Sequence, residues 1–240
     1  MRQIFFAHPY VCPREPERIA ALIRQHGTMR IVAAGEILKR GGDPNRLFLL
    51  EEGVCAYFVA GEVNPHPAIM SLILPGTTMC DMTSSVGRRC NVETRAIRRS
   101  RLWVTGPDFF DRHVFTVPEL AREKYAHAIA KQESTLEGMI ANFTLPPAQR
   151  LKVLFKAMLL HCGRFSETDP MSLPYAISAE TVGQTVNLTR QSVTEILGDW
   201  RRQGLLERFG RDLVLKPALF DDIYDWIEHR DGCRPDWRTG

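Results

Sequence analysis

Apolar and polar positions follow three successive rhythms along this chain. Over residues 29–104, short apolar runs are broken by glycine-rich gaps. The runs are 29–32, 36–39, 47–50, 54–59, 68–74, 91–96 and 101–104. The gaps carry turn residues at Ala34-Gly35, Gly41-Gly42-Asp43-Pro44, Glu52-Gly53 and from Gly61 to Pro67. Strands this short at near-regular spacing predict an antiparallel roll or sandwich. A roll of this size encloses a pocket as readily as a packed core. A short lead-in helix over 16–25, ended near Gly27, precedes it.

Near Phe109 the period becomes helical. Past Pro118, apolar or neutral side chains recur at Tyr125, Ile129, Gln132, Leu136, Met139 and Phe143, spaced 4-3-4-3-4. That is a coiled-coil seam, although a helix packed on the roll satisfies the same spacing. The flanks Arg122, Lys124, Glu133 and Glu137 are polar, and Gln132 suits a register-setting position in a pairing helix.

Pro146-Pro147 ends this helix. A second amphipathic helix is predicted over 148–161, closing at Gly163, then a loop over 164–170 and a strand over 171–175. Residues 177–202 read as two short helices around a tight turn at Asn187-Leu188. Val182, Val186, Leu188, Val193 and Ile196 form the apolar face. Gly183 removes a side chain where the helices meet, and Asn187 tolerates the positive φ that the turn needs. Ser178 and Thr189 stand at the N-cap positions. After Gln203-Gly204, residues 205–215 read as two strands around a glycine turn, which makes the unit a winged helix-turn-helix. One more helix over 219–228 and a disordered tail over 231–240 close the chain. The expected class is α+β, with an antiparallel β jelly roll over 1–110, a pairing helix over 111–145, a winged helix-turn-helix domain over 146–218, and a terminal helix and tail over 219–240.

At 240 residues and 44% hydrophobic, the chain can bury one or two cores. Its net charge is only +3, and residues 146–216 carry ten Lys/Arg against seven Asp/Glu. Tight non-specific binding to phosphates is therefore not expected, whereas site-specific readout is. Six cysteines (12, 55, 80, 90, 162, 233) show neither C-x-x-C spacing nor a zinc pattern. With no signal peptide and no membrane-length apolar run, a cytoplasmic protein with free thiols is expected. The histidines (8, 26, 66, 113, 127, 161, 229) are scattered, and only His66 falls within the roll. They assemble no metal triad for a cupin-like enzyme, and no nucleophile–base pair is evident. An enzyme is not expected.

Roll, pairing helix and winged helix, in that order, resemble the family of the cyclic-AMP receptor protein and the fumarate–nitrate reduction regulator. The resemblance covers about residues 30–218 and is strongest over 177–215. In the roll it rests on Gly35-Glu36, Gly41-Gly42-Asp43, Phe48 to Val54 and Leu74-Pro75-Gly76. It implies a homodimeric transcription regulator whose effector reorients the DNA-binding heads through the central helix. The implied partners are double-stranded DNA, a second copy of the chain and RNA polymerase, with no membrane. Carried over residue by residue, Arg190 opens the recognition helix where a guanine-reading arginine usually lies, and Gln191, Thr194 and Glu195 fill the other base-facing places. Arg pairs bidentately with guanine and Gln with adenine. Glu195 departs from the arginine often found there, and either accepts from cytosine N4 or braces Arg190. Ser178, Thr189 and Arg211 are implied phosphate contacts.

The resemblance is less direct at the sensor site. Cyclic-nucleotide binders carry a Gly-Glu pair after Pro-Gly and an Arg-Ser pair for the phosphate. Here Cys80-Asp81 follows Pro75 to Met79, with Asp81 imitating the ribose acceptor. Arg89 lies one place from the phosphate arginine, and Cys90-Asn91 takes the Arg-Ser position. An iron–sulfur branch needs several N-terminal cysteines, and only Cys12 is present. The haem-containing branch places Cys-x-His after the turn, so Cys80-Asp81-Met82 keeps the thiol without the histidine. Haem on Cys80 and a Cys80/Cys90 redox pair are the alternatives. The halogenated-phenol-sensing branch shares a roll without the cassette. It implies a small organic effector held by Cys80, Asp81, Met82, Arg89, Cys90, Asn91 and, on the central helix, Tyr125.

Overall fold

The computed structural model describes residues 7–40, 46–59, 68–81, 92–210 and 212–223. Helix α1 (Glu17–His26) leads into β1 (Thr28–Val32), β2 (Ile37–Lys39), β3 (Leu47–Glu52), β4 (Cys55–Val59), β5 (Ile69–Ile73), β6 (Thr78–Met79), β7 (Val92–Ala96) and β8 (Ser100–Thr105). They form two antiparallel four-stranded sheets, ordered β1-β8-β3-β6 and β2-β7-β4-β5. The expected strands are all present. The short β6 has no counterpart among the expected strands: Thr78 and Met79 pair with Leu49 and Phe48. The expected turns at 41–44 and 61–67 lie outside the described residues.

Strand β3 is apolar on both faces because both faces are covered. Phe48 and Leu50 enter the roll's interior, while Leu47 and Leu49 pack against α1 and the short helix α2 (Phe109–His113). Each such fully buried side chain contributes roughly 1.5–3 kcal/mol.

Helix α3 (Pro118–Thr144) has two interfaces. The predicted seam faces outward: Tyr125 is 71% and Phe143 83% exposed, with Ile129, Leu136 and Met139 also exposed. The opposite face packs on the roll and buries Lys124, His127, Lys131, Ser134, Glu137, Gly138 and Ala141. Lys124 and Glu137, expected as solvated flanks, are thus interior groups, because their neighbours come from distant parts of the chain. The lead-in is likewise more than a lead-in. Val11 bridges Leu72 in parallel, and Ser134 Oγ donates to the carbonyls of His8 and Val11. Tyr10 donates its hydroxyl proton to Asn142 Oδ1 at 3.0 Å. Residues 7–15 are a wedge between roll and central helix.

The C-terminal part comprises α4 (Pro147–His161), β9 (Met171–Ser172), α5 (Ala179–Val186), α6 (Arg190–Arg202), β10 (Leu206–Phe209) and β11 (Asp212–Leu215). Its sheet has the order β10-β11-β9. The strand expected over 171–175 is only two residues long; Pro174 has no N–H to extend the ladder. The last helix begins as a 3₁₀ turn (Pro217–Ile223), and the remainder of that expectation, with the tail, lies outside the described residues. Helix α4 is buried on nearly all sides, as a helix at the centre of a core must be. One continuous apolar cluster joins it to Val182, Val193 and Trp200 and to Phe58, Ile69 and Leu72 of the roll. Arg98 Nη1 donates to the Ala176 carbonyl (3.0 Å), and His161 Nε2 lies 3.1 Å from the Pro75 carbonyl.

Candidate nucleic-acid interface and roll cavity

The helix-turn-helix is built from local hydrogen bonds. Ser178 Oγ accepts from the Thr181 N–H at 3.0 Å, and Thr189 Oγ1 accepts from the Ser192 N–H at 3.0 Å. Each satisfies one orphan donor at a helix start. Asn187 takes the left-handed conformation (φ 53°, ψ 54°), and the Leu188 N–H returns to the Gly183 carbonyl at 2.9 Å. Arg150 Nη1 reaches the Val186 carbonyl at 3.4 Å and so ties α4 to the turn. A Cβ on Gly183 would lie 2.5 Å from the Leu188 carbonyl oxygen. Gly183→Ala is therefore expected to cost about 1–3 kcal/mol in urea denaturation through overpacking of the turn. A cost below 0.5 kcal/mol (about the noise of a surface change) would mean that the turn can shift freely.

Arg190, Gln191, Thr194 and Glu195 all lie at the leading end of α6, where their polar ends reach solvent. Gln191 Nε2 donates to Glu195 Oε1 at 2.9 Å, so Glu195 braces the glutamine rather than Arg190. Thr194 Oγ1 donates back to the Arg190 carbonyl at 2.9 Å. Among the described residues, the Arg190 guanidinium has no side-chain partner. It overlooks a groove of about 530 Å³ between α6, the start of α5 and the wing, where Ser178, Arg201 and Arg208 also stand. Arg211 lies outside the described residues, next to the wing-tip Gly210 (φ 60°).

A second concavity of about 590 Å³ opens between the roll and α3. Cys12, Tyr57, Met70 and Cys80 line it from the roll side, and Ile129, Lys131, Leu136 and Met139 from the helix. Of the expected effector residues, Cys80 is in this lining. Its backbone holds φ 63°, a conformation that non-glycine residues seldom adopt, with its N–H donated to Tyr57 Oη at 3.2 Å. Tyr125 is not in it, although Ile129, Leu136 and Met139 of the same stripe are. Met82, Arg89, Cys90 and Asn91 lie outside the described residues. Haem fits poorly, because the described lining has no histidine to stand opposite Cys80.

Asp81 is committed elsewhere. Its Oδ1 accepts from Lys131 Nζ at 2.7 Å and its Oδ2 from Lys124 Nζ at 2.8 Å. Lys124 also donates to both oxygens of Glu15 (2.7 and 2.8 Å), and Lys131 to the carbonyl and hydroxyl of Thr78 (2.7 and 3.0 Å). Burial opposes ionisation of Asp81, but the two ammonium groups together outweigh it and hold the carboxyl well below the usual range. Burial likewise works against the charge of Lys124, yet Asp81 and Glu15 hold it above the ordinary lysine value. His127 packs against this cluster, with Nδ1 3.2 Å from Glu15 Oε2 and Nε2 3.2 Å from the Pro13 carbonyl. Burial and then Lys131 push it down to about 4. Glu15, Asp81 and His127 converge as metal ligands would, with their ligand atoms within 4.8 Å of one another. Lys124 Nζ already occupies the place of a cation among them. The sequence reading missed this cluster; the one signal for it was polar residues at 124, 127, 131 and 134, themselves in a 3-4-3 rhythm.

No protein-family model matches the sequence, nor does any curated protein. Solved structures do match by shape. FixK2 from Bradyrhizobium japonicum superposes with a TM-score of 0.70 at 16% identity, over 85% of this chain and 99% of that one. A CRP-family transcriptional regulator from Thermus thermophilus, TTHB099, gives 0.64 at 18% identity, over 83% and 98%. CprK complexed with OCPA gives 0.63 at 13% identity, over 90% and 99%. In its fold, roll, central helix and winged head alike, this chain is similar to solved transcriptional regulators of the CRP/FNR family.

Proposed function

We propose that the chain is a cytoplasmic, homodimeric regulator that reads a pseudo-palindromic duplex and is gated by a small effector in the cavity between roll and central helix. The observation that carries the reading is the exposed leading end of α6, held by two side-chain caps and a left-handed Asn187, with an Arg190 guanidinium that has no side-chain partner among the described residues. That geometry suits the major groove, where Arg can meet guanine O6 and N7. The outward stripe on α3 supplies the second requirement, a way to bring two heads onto one two-fold axis. Half-sites then fall one helical turn apart, ~34 Å. RNA polymerase is the further partner that this role implies.

Selection from random duplexes with the full-length chain tests the reading. A dyad-symmetric site is expected, and Arg190→Ala should relax preference at one base pair per half-site by about 1–3 kcal/mol. Uniform weakening on every sequence would remove Arg190 from base readout. Phe143→Glu, at a position exposed in the protomer, should yield a folded monomer by sedimentation at micromolar concentration. A dimer that survives this change and shows no duplex preference would overturn the proposal.

A further inference from the structure

The groups facing the roll cavity set the chemistry of what enters it. Lys131 is the cationic residue in the described lining, and its three N–H donors already meet Thr78 O, Thr78 Oγ1 and Asp81 Oδ1. Lys124, behind it, is saturated by Glu15 and Asp81. The cluster's two ammonium groups balance its two carboxylates. An anion in the cavity would therefore meet no uncommitted cation among the described residues. It would instead meet Glu133 at the edge of the lining. Burying an unpaired charge is expensive, so the described wall disfavours an anion.

Apart from Gln132 and Thr135 on the helix side, what remains is mostly soft and apolar. Cys12, Met70, Cys80 and Met139 give four sulfur atoms, which suit polarizable, flat ligands. Burial pushes the Cys12 thiol up to about 11, so it lines the wall as a neutral group. On the roll side one polar side chain faces the cavity. Tyr57 Oη accepts from the Cys80 N–H, and its own proton meets no acceptor among the described residues. Burial raises this phenol well above its ordinary value and keeps that proton in place. The volume of about 590 Å³ lies within the range of small-molecule sites.

From this we infer that the cavity takes an uncharged, largely apolar organic molecule carrying one hydrogen-bond acceptor, which receives the Tyr57 hydroxyl. The inference rests on the reading of the cavity as the effector site, and the described wall disfavours nucleotides and carboxylates as ligand classes. Tyr57 is then the residue that sets specificity, by orienting the acceptor against the sulfur-lined wall.

Calorimetry on the full-length dimer with 2-acetylnaphthalene, 2-ethylnaphthalene and 2-naphthoate tests it. The ketone is expected to bind about tenfold more tightly than the hydrocarbon, the worth of one hydrogen bond, and naphthoate not measurably. In Tyr57→Phe the ketone's advantage should vanish while the hydrocarbon's affinity is retained; because this is a difference between two ligands, general loosening of the cavity cancels. Val92→Phe, which adds volume to the wall, should abolish binding of both. Naphthoate binding as tightly as the ketone, or an unchanged ketone advantage in Tyr57→Phe, would overturn the inference. Duplex selection on the ligand-free dimer separates the two claims. Failure of the naphthyl series with duplex preference intact overturns the ligand class alone. Loss of duplex preference with the ligand selectivity intact overturns the regulator reading and leaves the ligand class standing.

Discussion

Lys124→Met is expected to lower the unfolding free energy by about 3–5 kcal/mol in urea denaturation at neutral pH. The side chain is buried, and its ammonium touches Glu15 and Asp81, whose carboxylates are buried as well. Removing it strands two carboxylates that share only Lys131, Thr78 and His127 between them. The exposed pair Arg18–Glu123, similar in length at 2.8 Å, should by contrast cost at most about 1 kcal/mol when broken, because water screens it. A second change decides whether the loss comes from stranded charge. Glu15→Gln in the Lys124→Met background should recover part of the stability, since it removes one uncompensated anion. If the double variant is as unstable as the sum of the singles, the loss comes from packing rather than from charge. A fully apolar substitute for such a network is often neutral or stabilising, so its role here is better seen as register. It fixes which turn of α3 sits over β6.

The second large effect is acid sensitivity between pH 6.5 and 4. His127 and His161 are each pushed from 6.5 to about 4, first by burial and then by nearby cations: Lys131 and Lys124 for His127, Arg14 for His161. Glu15 and Asp81 pull His127 the other way, as the Pro75 carbonyl does His161, without prevailing. In the unfolded chain both imidazoles protonate near pH 6.5, whereas in the fold both stay neutral until about pH 4. The unfolded state therefore binds more protons across this window, and stability is complete above 6.5 and lost as the pH falls toward 4. Shifts of this size correspond to roughly 3 kcal/mol for each histidine. Asp81 adds nothing in this window. Its contribution, from a depressed carboxyl, is present above the unfolded value and begins to fade only as the pH falls below about 4. Unfolding free energies from urea titrations between pH 7.5 and 4.5 should fall with a slope approaching two protons. His127→Gln and His161→Gln should each remove about one. A flat profile, or a slope that neither change alters, would mean that both imidazoles reach water in the fold.

Much of the C-terminal half was legible in the residues because its determinants are local. Ser178 and Thr189 cap helices that begin one residue later, Asn187 twists the turn it occupies, and Gly183 contacts a carbonyl five positions on. The strands of the roll were legible for a similar reason, each apolar run being bounded by its own turn. The position of β6 was not, because two residues carry no period. The outward face of α3 was read from its apolar rhythm, and the opposite face was misread. Lys124, His127 and Lys131 look solvated in any hydropathy pattern.

The chain's own order of residues thus determined the kinds of elements, their succession and the leading end of α6, since these depend on neighbours within a turn or two. Tertiary structure alone decided that a lysine at 124 meets a glutamate 109 residues earlier, that Tyr125 lies outside the cavity lining while Tyr57 is within it, and that the lead-in wedges under the central helix. Burial of a charged or polar group is favourable only when a partner from elsewhere in the chain stands within hydrogen-bonding reach. Such partners are chosen by the packing of sheet on helix, and no local pattern of residues encodes them.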